Sequence, residues 1–299
     1  MRPTHHRITP ADAPQVAHEP PVDVHRTTLY TAAELYDDPS YPASLDARAY
    51  AWAALPACRE DALARALHDH AIDQALEAWV RPRSLVGVMG GHALRRGTTD
   101  YAAAARLGHR LGRTHVVATG GGPGAMEAAN LGCWLADEPA EAVTEALATL
   151  ATVPGFAPVE PWVAAAFAVR ERHPEGRDSL AIPTWHYGHE PPNVFGTVIA
   201  KYFRNAVREA ILLEVCDAGI AFLPGAAGTV QEVFQDACEN YYADEASVTP
   251  MVLVGREYWT EVLPLWPMLR SLARGRAMEP HVHLVDTVDE AAALLGAGG

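Results

Sequence analysis

From residue 84 onward, short apolar runs alternate with longer stretches in which apolar positions recur at helical spacing. The apolar runs are 85–89, 114–119, 180–185, 220–223, 251–255 and 282–285. Each is uninterrupted by charge and bounded by Gly, Pro or polar residues, as expected of strands buried on both faces of a parallel sheet. Between them the spacing predicts helices over 101–111, 125–135, 139–150 and 162–172. A further helix runs from Asn193 or Thr197 to Val215, and another follows the glycine turn after Leu223 and reaches Tyr242. One bent by Pro264 and Pro267 comes next, and 289–295 closes the chain. Strands alternating with helices predict an α/β fold, a doubly wound Rossmann-like parallel sheet with helices on both faces.

The first 80 residues follow a different pattern. Residues 46–80 are dense in Ala, Leu and Trp, with Pro56 separating two helical stretches. The first twenty-five or so residues are rich in Pro and His and have no apolar segment, which predicts a disordered tail and no secretory signal. The expected division is therefore a tail and helical extension over 1–80 and a nucleotide-binding catalytic domain over 81–299.

Two strand exits carry glycine clusters. The run 220–223 leads into Pro224, Gly225, Ala226, Ala227, Gly228 and Thr229, with Glu232 one turn further on. The run 114–119 leads into TGGGPGAMEAAN, which contains Gly121, Gly122, Gly124, Met126 and Glu127. The first strand also ends in glycine, at Gly90 and Gly91. A strand that turns through glycine into a helix leaves unpaired N–H groups and the positive end of a helix dipole at the sheet edge, a seat for a phosphate. The T-x-x-E spacing of Thr229 and Glu232 equally suits a capping box, and capping explains Glu127 as well as ligand contact does. Two such turns at the carboxyl ends of strands in one sheet would meet in one crevice. A dinucleotide site is not indicated, because no acidic residue ends a strand about twenty positions after the glycines.

The stretch AKYFRNAVREAILLEV places Lys201, Arg204 and Arg208 at spacings of three and four, which predicts a cationic stripe on one helix face. Composition sharpens its meaning. The chain has 299 residues, is 49% hydrophobic and carries a formal charge of −14. That charge disfavours nucleic acid polymers, so an anionic ligand must be small and held by a local field. Lys201 is the only lysine, and nothing around it suggests a lysine-bound cofactor. Cys58, Cys133, Cys216 and Cys238 form no C-x-x-C pair and read as reduced and structural. No apolar run approaches a membrane span, and the expected location is the cytoplasm. Trp185, His186, Tyr187 and His189 could stack on or hydrogen-bond a base. His186 and His189 lack a third ligand at recognisable spacing, and His281 and His283 need no ion, so no metal and no cofactor are expected.

The pairing of TGGGPGAMEAAN with PGAAGTVQE, with an arginine-bearing helix just before the second, resembles the Lonely Guy (LOG) family. These are nucleoside 5'-monophosphate phosphoribohydrolases, formerly labelled lysine decarboxylases. The resemblance covers residues 84–295 and is strongest in the two glycine motifs. The family signature PGGxGTxxE falls on Pro224, Gly225, Ala226, Ala227, Gly228, Thr229 and Glu232, with Ala226 in place of the second glycine. It implies Glu232 and an arginine of the preceding helix as the catalytic pair. The family spacing falls on Glu209, so Arg208 is reached by a shift of one residue, with Arg204 as the fallback. It further implies a ligand bound by Gly90, Gly121, Gly122, Gly124, Met126, Glu127, Arg204, Pro224, Gly225, Gly228 and Thr229, and a homo-oligomer of at least two chains. The expected reaction is hydrolysis of the N-glycosidic bond of a nucleotide to free base and ribose 5-phosphate. The alternative is a sensor or carrier that holds a nucleotide without turnover. A carboxylate suits the cationic sugar of that transition state, and a guanidinium fork suits a phosphate or ribose oxygen.

Overall fold

A computed structural model describes residues 17–186 and 190–296. Seven parallel strands form one sheet in the order β4-β3-β2-β1-β5-β6-β7. They are β1 (Leu85–Met89), β2 (Val116–Thr119), β3 (Ser179–Ala181), β4 (Val198–Ile199), β5 (Ile220–Phe222), β6 (Met251–Val254) and β7 (Val282–Val285). The helices are α1 (Ala32–Leu35), α2 (Leu45–Ala54), α3 (Arg59–Val80), α4 (Thr99–Leu111), α5 (Ala125–Trp134), α6 (Ala140–Ala151), α7 (Val159–Arg172), α8 (Asn205–Glu214), α9 (Ala227–Tyr242), α10 (Trp266–Ala273) and α11 (Val288–Gly296). The central strands β1, β5 and β6 are buried along their whole length, which is why their sequences are unbroken apolar runs. α4 packs on α5 and α11 on one side of the sheet, and α9 packs on α8 and α10. The doubly wound Rossmann-like class is thus the observed one.

The winding order fixes where a ligand can enter. From β1 the chain moves outward through β2 and β3 to β4, then returns to place β5 on the other side of β1. At that reversal the connections leaving neighbouring strands diverge to opposite faces and leave a crevice at the carboxyl edge. The exits of β1, β2 and β5 all open there. They are the three glycine-bearing turns.

One expected helix begins later than its caps suggest. Asn193 does accept from the N–H groups of Phe195 (3.0 Å) and Gly196 (3.1 Å), but the β-branched pair Val198–Ile199 then joins the sheet as β4, beside β3. α8 starts at Asn205, with Arg204 as its N-cap residue. The cationic stripe is therefore corrected: Lys201 lies before the helix, is buried, and forms an ion pair with Asp46. Arg204 points to solvent, and only Arg208 reaches the crevice. Thr229 is not a cap either, because α9 begins at Ala227 after an Ala226 N-cap that makes no side-chain bond.

The N-terminal segment wraps the β4 edge. Tyr30 pairs with Ile199 through N–H···O bonds of 3.0 and 2.8 Å. Within the expected tail, His18 bonds Asp61 and Val22 is buried, so packing starts well before residue 25. Asp46, at the start of α2, accepts from Trp185 (2.8 Å), Tyr41 (2.7 Å) and Lys201. Trp185 itself stacks among Tyr30, His68 and Phe203. It is a core residue and takes no part in lining the crevice. Among the described residues, no helix is long and apolar enough to cross a membrane.

Burial lowers the Lys201 ammonium's proton affinity, and Asp46 opposes that effect. Removing one partner of a buried pair leaves an uncompensated charge, so Asp46→Ala should lose about 3–5 kcal/mol of stability. Urea denaturation measures this, and a loss below about 1 kcal/mol would show that Lys201 finds water or another partner.

Candidate functional site

The crevice holds a cavity of about 780 Å³, within the range of small-molecule sites. Its floor is the glycine turns. Gly90 approaches its neighbours so closely that a Cβ there would lie 2.9 Å from the Ala125 side chain and 3.0 Å from that of Leu223. Gly91 joins the other two turns, donating its N–H to Pro224 O (3.2 Å) and accepting the Ala125 N–H at its carbonyl (3.1 Å).

The turn after β2 is held from behind. Thr119 Oγ1 accepts the Gly121 N–H at 3.0 Å and donates to Asn130 at 2.7 Å. Asn193 donates to Asn130 (3.0 Å) and to Gly122 O (3.3 Å). Gly121 and Gly124 have φ of +75° and +76°, a region that L side chains avoid. Gly122 and Met126 face the cavity, whereas Gly121 and Gly124 shape the turn without lining it. Glu127 is committed elsewhere. It is buried and receives Arg96 through a two-pronged ion pair and Tyr101 at 2.8 Å, so it joins α5 to α4 and stands outside the main cavity.

The turn after β5 is the open one. Pro224, Gly225, Gly228 and Thr229 all line the cavity. A Cβ on Gly225 would fall 2.1 Å from Thr229 Oγ1, and Tyr258 fixes the same turn by donating to Gly225 O at 2.7 Å. Ala226 has φ −93°, outside the left-handed region that favours glycine, so its position does not demand one. A Cβ on Gly228 would meet no atom within 4 Å. Among the described residues, the N–H groups of Ala227, Gly228 and Thr229 have no partner, as the first turn of a helix requires. At α5, by contrast, the Ala125 N–H is already given to Gly91. The anion seat is therefore better developed at α9 than at α5.

Arg208 and Glu232 meet over this floor. Their closest approach is 3.7 Å, and both side chains are mostly buried, at 14% and 13% exposed. Arg208 reaches across to the β2 turn, where its guanidinium would lie 3.2 Å from a Cβ on Gly120. Burial pushes the Glu232 carboxyl up to about 7, with Arg208 pulling it down and Glu209 adding to the rise. The Glu232 carboxyl is thus raised toward neutral pH, because it sits a turn beyond the α9 terminus in a desolvated wall. Arg204 lies away from the cavity.

Sequence reasoning missed several neighbours. Glu209 accepts from Asn205 (2.9 Å), Arg208 (3.3 Å) and Gln231, and lies in the cavity wall. Glu190 lies 3.5 Å from His92 at the mouth. The spacing of Arg208, Glu209 and Glu232 held the signal for the first cluster, but a charge adjacent in sequence reads as a solvated face until the helix start is known. His186 does not line the cavity, and Tyr187 and His189 lie outside the described residues. No group of three metal-ligating side chains occurs among the described residues.

No family model and no curated protein matches the chain, so the resemblance to the Lonely Guy family rests on its glycine motifs. Solved structures similar to it include the molybdenum cofactor binding protein of Rippkaea orientalis, at 17% identity and TM-score 0.46, covering 72% of this chain and 96% of that one. Two structures of the molybdenum cofactor carrier protein of Chlamydomonas reinhardtii are also similar. One has 16% identity and TM-score 0.44, covering 72% of this chain and 97% of that one. The other has 17% identity and TM-score 0.43, covering 73% and 99%.

Substitutions at two glycines three residues apart should separate the roles within the α9 turn. Gly225→Ala should cost about 1–3 kcal/mol by overpacking against Thr229. Gly228→Ala should stay within about 0.5 kcal/mol, since its methyl enters open space. Thermal unfolding of both variants checks this, and equal losses would contradict the turn geometry.

Proposed function

We propose that the crevice binds a small phosphate-bearing molecule of the nucleoside 5'-monophosphate class, with the phosphate on the first turn of α9. The convergence of three glycine turns on a cavity that also holds the Arg208–Glu232 pair is the observation that carries this reading. The unpaired N–H groups and the helix dipole suit an anion, and the protein's overall negative charge leaves few other places for one.

In the finer reading the site hydrolyses the N-glycosidic bond. The C1'–N bond breaks, water oxygen bonds to C1', one water proton goes to the departing base, and free base and ribose 5-phosphate leave. Positive charge develops on the sugar in the transition state. Glu232 in its ionised form stabilises that charge and orients the water, while Arg208 holds a ribose or phosphate oxygen and keeps Glu232 partly ionised. Phosphate binding at a distance from C1' positions the reacting centre. Gly90, Gly122, Met126 and Thr229 shape the ligand surface in this reading, and the site is that of a LOG-type phosphoribohydrolase.

A second reading, a carrier or sensor without turnover, is favoured by one feature. The Arg208 guanidinium is engaged by Glu209 and Glu232, so its charge is balanced within the protein itself.

Release of free base from AMP, compared with adenosine, tests the enzyme reading. AMP should be cleaved and adenosine barely touched, and comparable rates would sink the phosphate assignment. Glu232→Gln should lose on the order of a hundred- to a thousandfold in turnover while keeping AMP binding. Because burial holds the Glu232 carboxyl at about 7, its ionised fraction grows as pH rises, and the rate should climb between about pH 6 and 8. Binding of AMP with no release at any pH supports the carrier.

Homo-oligomerisation belongs to the same proposal, supported by Tyr242, Val262 and Met268 being exposed around α9 and α10. Light scattering at micromolar concentration should give at least a dimer, and a monomer would contradict it.

A further inference from the structure

The N-terminal extension grips the segment entering α8 at three points. Tyr30 pairs with Ile199, Asp46 holds Lys201, and Asp69 of α3 accepts the N–H groups of Phe203 (2.9 Å) and Arg204 (3.0 Å). The third contact stands at the helix start itself. Arg204 is the N-cap residue of α8 and forms no side-chain cap of its own, so the carboxylate that fixes this terminus comes from the extension. Asp69 is in turn held in place, with His68 Nδ1 at 3.1 Å and Tyr30 Oη 2.8 Å from the other ring nitrogen of His68. All three are buried. Arg208 and Glu209 follow one turn later, and both belong to the cavity wall.

We infer that the N-terminal extension is a positioning device for the crevice, in which Asp69 sets the start of α8 and thereby places Arg208 against Glu232. Resting on the reading of Arg208 as a ligand-site residue, this gives the extension a role that its sequence does not announce. The physical logic is leverage. A helix terminus with no cap of its own frays, and a fraying first turn would swing the guanidinium away from a partner only 3.7 Å distant. A carboxylate on the 22-residue α3 supplies a fixed anchor that a flexible loop could not. Asp69 is a positioning residue, since it touches neither the cavity nor the ion pair.

The test reads Arg208 through Glu232 in the ligand-free protein. Glutamate labelled with carbon-13 reports the Glu232 titration midpoint by NMR. Arg208→Ala should raise that midpoint by about one unit, because an opposite charge is lost. Asp69→Ala should raise it too, and the double variant should go no higher than Arg208→Ala alone. Asp69→Asn, which keeps one acceptor and folds more readily, should fall between wild type and Asp69→Ala. A merely structural role would lower stability without moving Glu232. An unchanged midpoint in folded Asp69→Asn and Asp69→Ala, or additive shifts in the double variant, would overturn the inference. A parallel AMP titration of the wild type keeps the two questions apart, since failure to bind AMP faults the ligand reading and leaves the NMR comparison intact.

Discussion

Gly91 ties the molecule together at the point where the sheet reverses direction. Its N–H reaches the β5 turn and its carbonyl holds the first amide of α5, so one residue after β1 fastens the exits of its two neighbouring strands. That arrangement needs close backbone approach. A Cβ on Gly90 would lie 2.9 Å from Ala125, one on Gly124 would lie 2.5 Å from Gly91 O, and one on Gly225 would strike Thr229. The glycines are clustered at the crevice because three backbones must come within hydrogen-bonding distance there, and the cavity is what remains between them. The same latch takes up the leading amide of α5, whereas the first three amides of α9 have no partner among the described residues.

Electrostatics then divides the crevice into an anion-accepting floor and an acidic wall. The floor is made of uncharged N–H groups, which lose little when a phosphate leaves. The wall holds Glu209 and Glu232 about a single guanidinium, and burial works against the Glu232 carboxylate. Glu209 is kept in place by Asn205, Arg208 and Gln231, so the wall is stiff. Stiffness of this kind suits a site that must present one charge to a transition state, and it depends on α8 being fixed at its start.

Much of this was legible in the sequence. The six apolar runs overlap β1, β2, β3, β5, β6 and β7, most fully at β1, β5 and β6, where burial on both faces requires apolar residues throughout; the run 180–185 shares only Leu180 and Ala181 with β3, and β7 is half-buried along its length. The two glycine motifs mark the two turns that line the crevice with Gly90 and Gly91. What failed was local pattern overridden by distant packing. Val198–Ile199 looks helical in a window of its neighbours, yet it becomes a strand through pairing with β3 and with Tyr30. Lys201 reads as surface charge, and only the remote Asp46 makes its burial tolerable. Thr229 and Glu232 match a capping box, but α9 begins two residues before Thr229, so Thr229 packs under Gly225 and Glu232 turns into the cavity wall. Glu127 shows the converse case, a motif residue taken by a structural ion pair with Arg96.

The central claim is that an anion sits on the first turn of α9 and lies beside the Arg208–Glu232 pair. Amide NMR shifts during titration with AMP test it most directly, since Ala227, Gly228 and Thr229 contribute N–H groups that have no partner among the described residues. Those three resonances should move together along one saturable curve, in step with Gly120 and Gly122 across the cavity. AMP that leaves them unmoved, or that shifts residues elsewhere while these stay fixed, would contradict the account.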